Sequence, residues 1–370
     1  MITFNPIDFM KQILRIITGL IFILSGFVKA VDVVGFSFKL EEYFSPTVFN
    51  LPFFEKLALP LSIFVVALEL ILGLMLLLKI QVRKVLPALV ALCIFFAFLT
   101  FYSAYFNKVT DCGCFGDAIK FTPWQSFFKD IFLLVLLLIL WLLYRKDRKA
   151  DETVSWAVPA FLVISAAFAF VIVYGIVREP VIDFRDYKIG TDLNAELKKV
   201  RDTPPTYKMF YTLKNTKTNE EKEVSQDEYV DNKEYWQDGT PWSIEEDKSE
   251  SRIVSEGYKS EISKFHITDV SGNDMTNEIT YAPKAVIVFS YAPEKVDKNL
   301  LHNIEMKLIS LDGTYIAGVS TQPETYRYIT NGVMDGTAIK TIARSNPFIL
   351  VLERGKIMDK IPAEVFLKKY

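Results

Sequence analysis

The sequence predicts an α-helical membrane bundle of five spans followed by a water-soluble α/β region, and three observations predict it. Of the 370 residues, 51% are hydrophobic and the mean hydropathy is +0.23, too apolar for an ordinary soluble chain of this length. The apolar residues are concentrated in runs: Leu57 to Leu78 carries Glu69 as its one charge, while Val85 to Phe106 and Val154 to Val177 carry none. After Val177 the composition turns polar, and short apolar runs then alternate with helical patterns, as in an α/β layer.

Each of the three long runs can cross about 30 Å of hydrocarbon as a helix. Two shorter ones, Ile16 to Val28 and Ile131 to Tyr144, reach spanning length if Arg15, Lys29 and Lys129 snorkel to the interface. The first lacks the charged start and small-residue cleavage site of a removable leader, so it is expected to stay as an anchor. Lys11 and Arg15, then Lys79, Arg83 and Lys84, then Arg145, Lys146, Arg148 and Lys149 fall on one face of a five-span chain. That face is expected to be cytoplasmic, as is the N-terminus, which puts the loop around Cys112 and everything after Val177 on the outside.

The predicted organisation is residues 1–150 as a four-span membrane domain, 151–180 as a fifth span, 181–256 as a polar β-containing region and 257–370 as a final α/β domain. In the polar region a hairpin is expected between Tyr207–Leu213 and Lys222–Val224, and the acids Glu245, Glu246 and Asp247 read as a solvated surface. Further on, Ala285–Phe289 fits a buried strand, Asn299–Leu308 a helix and Tyr315–Thr321 another strand. Helix Thr337–Arg344, loop Ser345-Asn346-Pro347 and strand Phe348–Leu352 then lead through Glu353-Arg354-Gly355-Lys356 to Ile357. This order, over about residues 265–370, resembles the end of a thioredoxin fold, and the resemblance implies a cis peptide bond before Pro347. At the place of that family's redox cysteines the chain reads Ser290-Tyr291-Ala292-Pro293. A thioredoxin-like domain without thiols is expected to bind or scaffold.

The chain has three cysteines and two histidines. Cys112 and Cys114 stand in Asp111-Cys112-Gly113-Cys114-Phe115-Gly116-Asp117, where an oxidising compartment would let them persist as a disulfide. With one residue between them the ring would be small and strained, hence labile, with Gly113 supplying backbone freedom; a plain structural staple is the alternative. Two thiols fall short of a zinc site, and no metal is expected. Cys93, mid-span, reads as a small hydrophobe. Glu69 reads as a proton relay or as a lock between helices, because an ionisable group within a span is costly. Nothing in the chain points to nucleic acid.

The Arg15, Gly19, Ser25-Gly26 and Lys29 pattern, the stretch from Ala67 to Gly73, and above all Cys112-Gly113-Cys114-Phe115-Gly116 ahead of Lys129-Asp130 resemble the DoxX/MauE redox-associated membrane proteins over residues 9–146. Combined with the extra span and the cysteine-free thioredoxin-like tail, the chain looks like the DoxX-type proteins of Bacteroidetes. The resemblance implies a four-helix DoxX/MauE-like core in a bacterial inner membrane, with the Cys loop and C-terminal domain periplasmic. It also implies redox work linked to quinone or to maturing envelope proteins, with Cys112 and Cys114 as the redox pair. The partners expected are the lipid bilayer and a periplasmic client or partner oxidoreductase. Two classes stay open: a thiol–disulfide or quinone-linked oxidoreductase, and a non-enzymatic envelope scaffold whose disulfide is structural. A small-solute transporter would rest on Glu69 alone.

Overall fold

The computed structural model of the protein describes residues 6–109, 121–147 and 151–369. Cys112, Gly113, Cys114 and Gly116, together with Arg148 and Lys149, lie outside the described residues. The chain opens with α1 (Pro6–Val31), α2 (Val33–Phe44), α3 (Pro52–Lys56), α4 (Ala58–Leu77), α5 (Val82–Phe106), α6 (Pro123–Tyr144) and α7 (Ala157–Val177). Among the described residues, α1, α4, α5, α6 and α7 are the five helices long and apolar enough to span a bilayer. This is therefore a multi-pass membrane protein.

Local chemistry sets where the helices begin and end. Asp32 caps α2 by accepting from the Gly35 amide. Thr122 opens α6 with a capping box completed by Gln125, and Pro123 sits at the first helical position. Asn107 closes α5 in the left-handed region, φ 49°, where Asn is tolerated better than most residues.

The α1–α4 contact depends on two glycines. A Cβ added at Gly19 would meet the Gly73 carbonyl oxygen at 3.2 Å, and one at Gly73 would meet the Ile23 amide at 3.2 Å. Small residues let the two backbones approach as they do at other close intramembrane crossings. In contrast, α7 buries little more than Ala157, Ile172 and Gly175 and offers Leu162, Val163 and Phe170 to lipid.

The first connection holds a short amphipathic helix, α2, that reading hydropathy alone does not reveal. Its buried residues Val33, Phe36, Leu40 and Tyr43 recur at three- and four-residue spacing, so one face packs on the bundle. Farther along, Tyr43 joins Leu99 and Val109, with Val48 and Phe49 packed against them. This first connection therefore reaches the root of the loop that leads to Cys112.

Past a linker, α8 (Leu193–Asp202) precedes a three-stranded antiparallel sheet. Strand β1 (Thr206–Asn215) is central, β2 (Glu221–Ser225) is on one side and β3 (Trp242–Ser255) on the other, with α9 (Gln226–Asp231) following β2. Glu245, Glu246 and Asp247 lie in β3, which carries no run of apolar residues to mark it as a strand. The register jumps from Thr212↔Glu245 to Phe210↔Glu250, so Glu246 and Asp247 fall in a bulge and stay exposed.

The final region comprises β4 (Thr268–Asp269), α10 (Thr276–Tyr281), β5 (Ala285–Ser290), α11 (Lys298–Ile309), β6 (Tyr315–Ser320), β7 (Thr330–Val333), α12 (Gly336–Ile342), β8 (Phe348–Glu353), β9 (Lys356–Pro362) and α13 (Ala363–Lys369). The sheet order is β4-β7-β6-β5-β8-β9, with β5 parallel to β6 and antiparallel to β8. Strand β5 is buried throughout, as expected for a central strand covered on both faces. Alternation sends Ala285, Ile287 and Phe289 into the core shared with α12, and Val286 and Val288 into the one shared with α11 and α13. Phe289 stacks on Phe348 with ring centroids 5.1 Å apart. The chain is thus a helical membrane core followed by a sheet-rich α/β soluble part.

Candidate functional site

The close α1–α4 crossing brings together two charges that lie 40 residues apart in sequence. Lys29 Nζ donates to Glu69 Oε2 at 2.7 Å and Oε1 at 3.0 Å, and to Ser25 Oγ at 2.9 Å, one helical turn back. Both charged side chains are 2% exposed. The ammonium also faces the Phe96 ring at 4.8 Å, a cation–π contact strengthened by the absence of water. Lys29 therefore does not snorkel; it is satisfied inside the bundle. Arg15 is also buried, donating from Nη1 to the Leu77 carbonyl at 2.6 Å and to that of Leu76. A cation at those carbonyls complements the negative end of α4.

A second polar group lies beside the first. Asp130, 2% exposed, pairs with Lys129 at 2.6 Å and accepts from Thr100 Oγ1 at 3.2 Å. The Cys93 thiol donates to the Asp130 carbonyl at 3.2 Å. Ser25, Lys29, Glu69, Cys93, Lys129 and Asp130 all line one small cavity, of about 10 Å³, room for roughly one water. Cys93 is thus part of a polar cluster as well as of the apolar packing, and Asp130 is a site residue that sequence reasoning missed. The available signal was an acid seven residues into a span.

At the C-terminal end of α1 the soluble part docks on the first connection. Arg344 donates to Asp32 from Nε to Oδ1 at 2.9 Å and from Nη2 to Oδ2 at 2.7 Å, a fork geometry that is strong for a guanidinium. Lys340 pairs with Glu41 at 2.9 Å and lies 4.5 Å from the Phe38 ring centre. Phe38 meets Tyr291 edge-on at 5.4 Å. Glu179, just past α7, accepts from the amides of Arg344 and Ser345 at 3.1 and 3.3 Å and pairs with Arg185 at 3.0 Å. Burial alone would raise the Asp32 pKa, but the Arg344 guanidinium outweighs it and holds the carboxyl below its ordinary value.

The same linker continues the charge network into the soluble core. Asp183 accepts from Arg185 Nε at 2.7 Å and also from the Lys360 ammonium. Burial opposes ionisation of Asp183, yet the two cations bring its carboxyl down to about 2. Lys360 is itself brought down to about 8, by burial first and by Arg185 second.

The Asn346–Pro347 bond is cis. Asn346 Oδ1 accepts from Ser290 Oγ at 2.8 Å and the Tyr291 amide at 3.1 Å. Ser290-Tyr291 and the Pro347 loop are therefore neighbours. Glu69 and Pro347 sit in separate parts of the molecule, and Cys112 and Cys114 fall outside the described residues.

Comparison with known proteins bears on the membrane half. Residues 7–144 match the family described as methylamine utilisation protein MauE. A curated relative, Protein TlpB from Flavobacterium psychrophilum, is 29% identical over 150 residues, which is 39% of this chain and 40% of that protein. The chain thus matches well under half the length of that relative. No solved structure matches the chain. Residues 7–144, which hold the glycine-packed crossing and the Lys29–Glu69 pair, are thus similar to the MauE family.

Proposed function

We propose that the chain is a membrane-bound thiol–disulfide redox protein in which Cys112 and Cys114 cycle between disulfide and dithiol. The observation that carries this reading is the MauE-type membrane domain with a Cys-Gly-Cys loop between its third and fourth spans. A thiolate of a reduced client attacks one sulfur of the Cys112–Cys114 disulfide and forms a mixed disulfide. The client's second thiolate resolves it, leaving the client oxidised and this pair as two thiols; exchange with the disulfide of a partner oxidoreductase, which is reduced in turn, restores the Cys112–Cys114 bond. In this reading Gly113 and Gly116 give the loop its backbone freedom. Glu69, held by Lys29, and Asp130 beside it are the groups able to hold protons within the span.

The basic residues between α4 and α5 and after α6 support an inner-membrane orientation with that face cytoplasmic and the Cys loop periplasmic. The sheet order and the cis-Pro347 loop beside Ser290-Tyr291 support a thioredoxin-like assignment for residues 257–370, which would serve as a binding module, with 181–256 as its polar companion. A quinone ring does not fit the cavity at Lys29 and Glu69, which has space for about one water.

The test is the reduction potential of the Cys112/Cys114 pair, read by alkylating free thiols across glutathione redox buffers. A value near or above about −200 mV is expected for an exchange-competent pair. A value below about −300 mV would mark a structural staple and leave a scaffold role in its place.

A further inference from the structure

The contact between the two halves of the molecule has an unusual make-up. Among the regular elements, packing between the membrane helices and the soluble part is sparse. On α2 the contact consists of the Arg344–Asp32 fork, the Lys340–Glu41 pair and Phe38 set between Lys340 and Tyr291. Phe38 and Glu41 are three residues apart and share one face of α2, while Asp32 caps its first turn. Two cations and an aromatic ring on the soluble side thus meet two carboxylates and an aromatic ring on a helix. The apolar side of α2 is turned away, into the bundle. Small, polar interfaces between parts of one chain open more readily than apolar ones.

We propose that Tyr291, Lys340 and Arg344 form a recognition face for acidic, aromatic helical segments, and that α2 is its resident occupant. The chain therefore carries its own competitor: an external helix with a carboxylate at its start and an aromatic–acid pair about two turns on gains access when α2 releases. Gly35 fits this arrangement. A Cβ there would stand 2.5 Å from Asp32 Oδ2 and 2.7 Å from Arg344 Nη2, so the guanidinium lies in space that a side chain would fill. The proposal is independent of the thiol chemistry, since none of these groups is a cysteine.

The test uses the full chain in nanodiscs and a labelled synthetic peptide of residues 31–46 as the probe. In the Asp32→Lys/Glu41→Lys chain the resident helix is repelled, and the peptide is expected to bind at least about tenfold more tightly than it binds the wild type. Adding Arg344→Glu should abolish that binding. Hydrogen exchange of β5 reports whether each variant is folded. If the variant keeps β5 protected and binds no better than wild type, the proposal is overturned. If the variant loses that protection, the milder Asp32→Asn chain decides. Selective speeding of exchange in residues 336–346 with peptide capture supports the face, whereas exchange only together with β5 marks a permanent seam and overturns it.

Discussion

Two ion pairs sit three residues apart on one stretch of chain, and they do different work because their surroundings differ. Lys29–Glu69 lies inside the bundle, each side chain 2% exposed, where α1 and α4 are pressed together at Gly19 and Gly73. Asp32–Arg344 lies at the seam, 11% and 7% exposed, between the start of α2 and the loop after α12. The first pair lines a cavity with room for about one water and no more. The second lies nearer to solvent, which makes its fork geometry a matter of specificity as well as of stability. A chain that needs a fixed membrane core and a separable soluble part would divide its charges in this way.

The sharpest way to break the comparison is Glu69→Gln. Removing one partner of a buried pair leaves an uncompensated charge, at a cost of about 3–5 kcal/mol. Thermal unfolding of the Glu69→Gln protein in detergent should show this loss, and the Lys29→Met/Glu69→Gln double variant should recover much of it, because neither charge then remains. A loss no larger than that seen at the seam would remove the distinction drawn between the two pairs.

The network behind the seam adds a dependence on pH. Asp183 is held at about 2 against an ordinary value of 3.8, so its stabilisation is present above pH 3.8 and is lost as pH falls through about 2. That shift corresponds to about 2 kcal/mol. Lys360 is shifted down as well, so its slope with pH has the same sign in a higher window, although at neutral pH its shift opposes folding. Its folded value of about 8 lies below the ordinary 10.5, so the folded chain releases that proton first and this contribution to stability rises as pH climbs from about 8 towards 10.5. Hydrogen exchange of β9 followed from pH 4 to pH 2 should accelerate in the wild type more than in Asp183→Asn. Equal acceleration would mean that another carboxylate governs the acid limb.

How far these features could be read in advance depends on the range of the physics involved. The five spans are legible because hydrophobicity over about 20 residues is a local signal. So are the strands and helices from Ala285 to Ile357, where buried runs and the Gly355 turn announce themselves, except β7, whose four residues Thr330–Val333 carry no apolar run. Helix α2 escapes because its apolar stripe of Phe36, Leu40 and Tyr43 is short and set among polar residues. Strand β3 escapes because its partner β1, not its own composition, makes it a strand. In the candidate site Glu69 stands out as a lone charge in a span, yet its partner could not be named, since Lys29 lies at the end of another helix and looks able to reach water. Arg344 carries no local signal at all. Its role exists only once Asp32, 312 residues earlier, is brought beside it.

The smallest expected effect is also the most selective. Gly35→Ala changes no charge and touches neither Lys29 nor Glu69, but its methyl would crowd the Arg344 guanidinium and the Asp32 carboxylate. The guanidinium can withdraw because it is the far end of a flexible side chain, so the cost should be about 1 kcal/mol, the scale of a hydrogen bond weakened where water can replace it. That loss should appear as faster hydrogen exchange in residues 33–44 and 336–346, with the unfolding temperature of the membrane core unchanged. If the core melts earlier instead, the seam and the intramembrane pair are one cooperative unit, and Asp32 transmits the state of the soluble part to Lys29 through the last turn of α1.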